Sequence, residues 1–405
     1  MKKATAVVCT FALLLSLSSC GIEKPDTTKE SNEQTSADVK DIKKFNIYDS
    51  HVRADLSDSF VVDADISGND IKSVASYDLD VTKLTEDRIA ELVMADGGYK
   101  REDKADGMIE YASEREKLDV QLIDTSSMSF MTSPSFAYSL DKGKEYKALV
   151  DYYWLTETAR DIDEINAIDL VKEKIDKLPF EYGDMFIYKM DCDTMNSVYA
   201  ERIAEQQKIV KEAESAGNEA DRSFEADLYL MGKYDLLDEN LQFTSEDECY
   251  IINGKLTMKD LPVYSWNYQI SSIYAAVSSR GIEYLKVDNL YSLENAHDES
   301  AAVDIENAAG ALYQAFESSS YKDKNDITVD KIDLAYQKDN YTGDDPREHT
   351  KEFISPVWAI HYLIKPKNGN ELDGRTCIVS ATDGTMLSKP DELFSPNQIL
   401  LKMTE

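Results

Sequence analysis

Residues Ile354 to Ile364 read ISPVWAIHYLI, a nearly unbroken apolar run dense in β-branched and aromatic side chains. Such side chains suit a pleated strand. Apolarity on successive residues means that both faces of that strand are covered. Pro356 lies near the strand start, where a missing N–H is tolerated. The connection that follows, Lys365 to Gly374 (KPKNGNELDG), carries Pro, Asn-Gly and Asp-Gly, all turn signals. Cys377-Ile378-Val379 resumes a strand. Asp383-Gly384 then supplies the positive φ of a tight turn before Met386 and Leu387.

Shorter elements of the same kind precede it. Phe60, Val62, Ala64 and Ile66 alternate with polar residues, as a half-buried strand does. Tyr77, Leu79 and Val81 form a second strand after a turn at Ser67–Asp70. Thr85 is a helix N-cap, with Glu86-Asp87 in the first turn, Ile89, Leu92 and Val93 as the apolar stripe and Gly97-Gly98 as the stop. Leu118, Val120 and Leu122 mark a third strand, and strand-like runs fall at Met128–Leu140 and Tyr146–Leu155. Ile162, Ile165, Ile168, Val171 and Ile175 recur at helical spacing up to Pro179. Asp184–Met190 is a strand. Thr194–Ala216 and Ser223–Leu237 read as two amphipathic helices. Strands follow at Leu261–Ile270, Ile273–Ser279 and Gly281–Val287. The last third opens with a helix striped by Ile305, Ala308, Ala309, Leu312 and Phe316, then a strand at Ile327–Tyr336.

A repeat is visible in this order. Pro262-Val263-Tyr264 matches Pro356-Val357-Trp358, and the same offset sets Tyr284 on Ile378, Val287 on Ala381 and Leu293 on Leu387. A helix precedes each copy, and the surplus in the earlier one matches the two helices between Thr194 and Leu237. The unit of one helix and an antiparallel sheet, with Pro356-Val357-Trp358 and Ala381-Thr382-Asp383-Gly384-Thr385-Met386-Leu387 as its motifs, resembles PepSY-type domains. It also resembles an uncharacterised family of Firmicute (Gram-positive) lipoproteins of unknown function, whose N-terminal part looks like the hairpin from Val62 to Tyr77. The earlier copy departs from the pattern: Val287-Asp288-Asn289-Leu290 lacks the Asp-Gly turn. PepSY-type modules are associated with restraining peptidases and tuning sensor kinases. The resemblance therefore implies a binding or regulatory role and brings no catalytic residues.

The N-terminus sets the address. Lys2 and Lys3 form a basic n-region, and Ala4–Leu17 is an apolar stretch too short to span a bilayer comfortably. Leu17-Ser18-Ser19-Cys20 resembles the lipobox of bacterial lipoproteins, which implies cleavage before Cys20 and a diacylglyceryl group on it. Two acyl chains suffice for stable anchoring. Gly21 to Lys43 is polar and nearly free of large apolar residues, a flexible tether of ~22 residues spanning roughly 25 Å. The expected fold class is α+β: repeated helix-plus-antiparallel-sheet modules, PepSY-like, after a signal peptide and a disordered tether. The expected order is a lipoprotein signal peptide (1–19), lipidated Cys20 and linker (20–44), and an N-terminal α+β domain (45–155). A helix-plus-sheet module (156–295) with a helical insertion at about 194–237, a C-terminal PepSY-like module (296–392) and a polar tail (393–405) complete it.

The 405-residue chain carries 78 acids against 44 Lys and Arg, a formal charge of −34. This argues against nucleic acid and against a polybasic membrane contact. No G-x-S-x-G, P-loop, H-E-x-x-H or EF-hand loop occurs. Ser139-Leu140-Asp141-Lys142 and Ser319-Ser320-Tyr321-Lys322 fit S-x-x-K without a following K-T-G. His51, His297, His349 and His361 are scattered, so no catalytic residue, cofactor or metal site is assigned. Asp191-Cys192-Asp193, Asp344-Asp345 and Ser245-Glu246-Asp247-Glu248 are acidic loops, either solvated or gathered around Ca²⁺. The 24 Tyr, with Trp154, Trp266 and Trp358, are strand residues packed on helices or a binding face. Cys192 and Cys249 are a candidate disulfide or two single thiols. The leading expectation is a non-catalytic, membrane-anchored extracytoplasmic lipoprotein that binds or regulates a protein or peptide in the envelope, through the exposed face or edge of its last sheet. The alternatives are a sugar- or peptide-binding lipoprotein and a hydrolase using an unidentified carboxylate pair. The assigned site residue is Cys20.

Overall fold

Alternation sorts the strand that begins at Phe60 as expected: Phe60, Val62 and Ala64 have no exposed surface, whereas Asp63 and Asp65 face water. The computed structural model of the chain describes residues 45–48, 50–81, 84–94, 98–104, 107–122, 134–153, 165–179, 181–215, 222–232, 234, 236–265, 268–297, 299–340, 352–369, 372–388 and 393–394.

The first part holds β1 (Asn46–Tyr48), β2 (His51–Ser57), β3 (Phe60–Ser67), β4 (Ser73–Val74), β5 (Tyr77–Val81), α1 (Glu86–Val93), β6 (Lys100–Asp103), β7 (Ile109–Ala112), β8 (Lys117–Gln121), β9 (Ser135–Ser139) and α2 (Gly143–Tyr153). The middle holds α3 (Ile165–Ile175), β10 (Tyr182–Met190), α4 (Cys192–Ser215), α5 (Phe224–Leu230), β11 (Cys249–Met258), β12 (Leu261–Ser265), β13 (Tyr268–Gln269), β14 (Ser271–Ser278) and β15 (Gly281–Val287). The last part holds β16 (Tyr291–Ala296), β17 (Ser300–Ala301), α6 (Ile305–Ser318), β18 (Asn325–Asn340), β19 (Glu352–Pro366) and β20 (Asp373–Ser380). The result is a mixed α+β fold, mostly sheet.

Eight of these strands pair antiparallel in the order β10-β11-β14-β15-β9-β8-β7-β6. Successive residues of a strand feed opposite faces, and each face is covered by helices. On one, Ile89 and Val93 of α1 and Val171 and Ile175 of α3 pack with Val120, Ile252, Ile273 and Leu285. On the other, Tyr146, Leu149 and Val150 of α2 and Met195, Val198 and Tyr199 of α4 pack with Ile251, Ala276 and Tyr284.

The apolar run at Ile354–Ile364 becomes part of the spine of the second sheet system. β18 and β19 pair along their length, from Asn325 opposite Pro366 to Asn340 opposite Glu352. The first half of β18 takes β3 as a parallel neighbour, and its far end takes β12. β19 takes β20 along Val357–Ile364 and β5 along Glu352–Ile354. α6 lies on this sheet, started by Asp304, whose side chain accepts from the Asn307 N–H at 2.8 Å. Such a cap is worth about 1 kcal/mol. Ala308, Ala309, Leu312 and Phe316 of its stripe are fully buried. Phe316 meets Phe60 at 5.5 Å and Phe394 at 5.4 Å between ring centroids. The Trp358 indole N–H donates to Val303 O at 2.8 Å, so the buried ring leaves no orphan donor.

The structure departs from the patterning in several places. Tyr146–Leu155 reads as strand by composition, yet α2 occupies it: Tyr146, Leu149 and Val150 are buried at helical spacing. The central strand β11 has no foreseen counterpart, because CYIINGKLTM mixes polar and apolar residues without alternation. β3 and β5 do not form a hairpin with each other; β3 pairs with β2 and β18, and β5 with β16 and β19. α1 ends at the C-cap Met94, before Gly97. α5 ends at Leu230 rather than Leu237, and the run at Leu261 divides into β12 and β13. Leu393 and Phe394 are core residues, so the first residues of the expected tail belong to the packed structure. Pro262 lies in the short β12, parallel to β18, whereas Pro356 lies in the long β19, antiparallel to the same strand. Of the expected elements, the parts at 128–133 and 154–162 lie outside the described residues, as do residues 1–44, Cys20 among them.

Candidate functional site

Arg280, in the tight turn between β14 and β15, gathers a dense polar cluster. Its guanidinium lies 2.8 Å from Glu283 and 3.0 Å from Asp247, donates to the Tyr146 hydroxyl at 3.1 Å and to Glu246 O at 3.1 Å. Lys142 donates to the same Asp247 oxygen at 2.7 Å. The Thr244 N–H and hydroxyl each donate to the other Asp247 oxygen at 3.0 Å. Ser278 adds a hydroxyl to Glu283. Both carboxylates are buried. Burial alone would raise the Asp247 pKa; the donors Lys142, Thr244 and Arg280 outweigh it and hold it at about 2. A glycosidase-type pair needs one carboxyl kept protonated near neutrality. Here Asp247 is an ionised anchor, and Arg280 stands between it and Glu283. The expected acidic loop Ser245–Glu248 is thus solvated only in part.

A cavity of about 290 Å³ adjoins this cluster, at the lower end of the ~300–1,000 Å³ range of small-molecule clefts. Register explains its floor. Lys189, Tyr250 and Val277 are paired neighbours on β10, β11 and β14, so their side chains leave the sheet on the same face. Glu248, in the loop before β11, and Ser279, in the turn after β14, line it beyond the last paired residues Cys249 and Ser278. Asn166, Ala167 and Leu170, at the start of α3, line the opposite side. Lys189 Nζ lies 5.8 Å from the Tyr250 ring centroid, at the outer limit of a cation–π contact. Glu248 is half-buried and makes no hydrogen bond or ion pair to another described residue.

The other sequence candidates are absorbed by the fold. Lys142, the Lys of the first S-x-x-K, is bound to Asp247, and Ser319 of the second donates to Phe316 O at the end of α6. His51 is held between Asp65 and Asp63, and both hydrogen bonds raise its pKa. His297 meets Asp78 at 2.7 Å and His361 meets Asp330 at 2.5 Å. Asp191 caps α4 by accepting from the Thr194 N–H at 2.8 Å. Cys192, Cys249 and Cys377 are unpaired thiols. Tyr111, Tyr146, Tyr362 and Trp358 are fully or almost fully buried, hence packing residues rather than a face. His349, Asp344, Asp345, Trp154 and Trp266 lie outside the described residues. The edge of the last sheet is occupied along part of its length: Val379 bridges Met386, and Ile378 O accepts from Leu387 N at 2.9 Å. The cavity and the Arg280 cluster had no motif to find them by. Their residues are drawn from six elements and the loops between them, and no local pattern joins them.

No protein-family model matches the chain, and no curated protein matches it. Among solved structures it is similar to the crystal structure of an uncharacterized protein from Eubacterium rectale ATCC 33656, at 13% identity and a TM-score of 0.47, covering 84% of this chain and 94% of that one.

Proposed function

We propose that this protein is an extracytoplasmic lipoprotein, anchored through a diacylglyceryl group on Cys20, that binds or regulates a protein or peptide partner in the cell envelope without catalysing a reaction. The observation that carries the reading is the N-terminal order of basic residues, apolar stretch and Leu17-Ser18-Ser19-Cys20, followed by a tether and a folded body of opposite composition. The PepSY-like reading of the body belongs to the same proposal. Its support is the order of elements: α6 leads into the antiparallel β18-β19-β20, and α3 leads into the antiparallel β10-β11-β14, with α4 and α5 between the first two strands. This aligns β11, rather than β12, with β19. The surface assigned to the partner is the β18–β19 face turned away from Trp358 and Tyr362, where Lys331, Asp330 and His361 are accessible.

Two measurements test it. Cys20→Ala should move the protein from the membrane to the soluble fraction; retention of the variant in the membrane overturns the anchor. Crosslinking in intact cells should recover a defined envelope partner from wild type and lose it in a Lys331→Glu/His361→Glu variant. Recovery of the same partner by that variant removes the assigned face.

A further inference from the structure

We infer that His51 is a proton-operated switch on the face assigned to the partner: protonated, it clamps β2 to β3 through Asp63 and Asp65, and deprotonated, it releases one of them. The inference rests on the partner reading only for what the switch controls. Register sets the geometry. His51 of β2 is the paired neighbour of Asp65 on β3, and Asp63 lies two residues back on the same face. The imidazole sits between them, with Nδ1 3.1 Å from Asp65 and Nε2 2.8 Å from Asp63. A neutral imidazole has one N–H and one lone pair, whereas an ionised carboxylate only accepts. Both contacts are therefore hydrogen bonds only when both ring nitrogens carry a proton. Loss of one proton sets a lone pair against a carboxylate oxygen, and that contact opens. The bonds to Asp65 and then Asp63 also raise the pKa of the ring above the ordinary 6.5.

The neighbouring strands fix the local charge. β1 places Tyr48 opposite His51. On β2, Arg53 is the paired neighbour of Asp63. On β18, Lys331 is the paired neighbour of Asp65, and Asp333 holds its ammonium at 2.7 Å. With the proton, His51 and Arg53 balance Asp63 and Asp65; without it, this corner carries one net negative charge. Lys331 pairs in turn with His361 on β19, so His51, Asp65, Lys331 and His361 form one line across four strands, on the face opposite α6. Asp330, which meets His361 at 2.5 Å, falls at a bulge in β18 between Val329 and Lys331. The switch thus stands at one end of the line that the partner would cover. A cationic group of the partner and the His51 proton compete for the same two carboxylates. The partner that fits this corner is basic, as suits a chain of formal charge −34, and it docks more tightly as pH rises.

Histidine NMR on the purified full-length protein tests the switch without a partner. The His51 ring resonance, identified by its absence in His51→Gln, should titrate with a midpoint above 6.5. Asp65→Asn and Asp63→Asn should each lower that midpoint, which a merely structural contact would not do. Linkage fixes the sign: the clamp stabilises the fold fully below the ordinary 6.5, and the contribution is lost as pH rises through the folded midpoint. The control of docking is read by crosslinking in intact cells at about pH 6 and about pH 8.5, on either side of the ordinary histidine range. Wild type should yield more of the partner at the higher pH, and His51→Gln equal amounts at both. A midpoint at or below 6.5, or no downward shift in either Asn variant, overturns the switch. Equal recovery from wild type at the two pH values overturns its control of docking. Recovery of no partner at either pH, with the titration as expected, strikes the partner reading and leaves the switch standing.

Discussion

The Arg280 guanidinium and the Asp247 carboxylate meet at 3.0 Å, although 33 positions separate them in the chain. The pair ties the loop before β11 to the turn between β14 and β15. Lys142 at the start of α2 and Tyr146 inside it join the same group, so three segments converge on one buried aspartate.

Asp247 should make the fold acid-labile in a defined window. Its folded pKa of about 2 lies below the ordinary 3.8. A depressed carboxylate contributes stability that is full above about pH 4 and is lost as pH falls towards 2, about 2 kcal/mol in all. Urea unfolding of wild type across this range should show the loss, and Asp247→Asn should be destabilised at pH 7 with a flatter acid limb. An unchanged acid limb in the variant would refute the assignment.

Phe394 closes the core of the last sheet. Its ring meets Phe316 at 5.4 Å and Tyr362 at 6.0 Å, and the Tyr362 hydroxyl donates to Leu393 O at 2.8 Å. Phe394→Ala should cost about 3–5 kcal/mol, read as a fall in Tm. A truncation after Ser388 should do at least as much. If the truncated chain keeps the wild-type Tm, these residues are not part of the core.

Gly68 turns the chain after β3 with φ +76°, and a Cβ there would collide with the Leu334 side chain. Gly68→Ala therefore meets both backbone strain and overlap, and should lose about 1–3 kcal/mol. Gly98, with open space around its Cβ position, is the control and should tolerate alanine far better.

The thiols should separate by reactivity. Burial pushes Cys377 up to about 12 and raises Cys249 as well, so neither offers thiolate at neutral pH. Cys192 is partly accessible at the start of α4. Iodoacetamide on the folded protein, followed by peptide mass spectrometry, should label Cys192 first. Labelling of Cys249 at an equal rate would contradict the packing around β11.

Local pattern and tertiary pairing divide cleanly along the chain. Alternation locates β3, β8 and β18, helical spacing locates α3 and α6, and Thr85 and the Asp383-Gly384 turn act as their residue types imply: the Thr85 hydroxyl accepts from Arg88 N, and Gly384 has φ +75°. These are decided by side chains within a few residues of each other. α2 escapes the patterning because Tyr, Val and Trp favour strand by composition, which masks the spacing of Tyr146, Leu149 and Val150. β11 escapes it because, packed between β10 and β14 with helices on both faces, it need not alternate.

The apolar strand at Ile354–Ile364, most element types and the acidic character of the chain follow from residue chemistry and short-range periodicity, and are readable without coordinates. Which strands become neighbours is set at the level of the whole fold. Folding places β12 against β18 and β9 against β15, and it brings Arg280 to Asp247. The physical reason is that pairing partners and buried charges are selected by burial and hydrogen-bond satisfaction over the whole chain, and a local pattern carries no record of what will lie across from it.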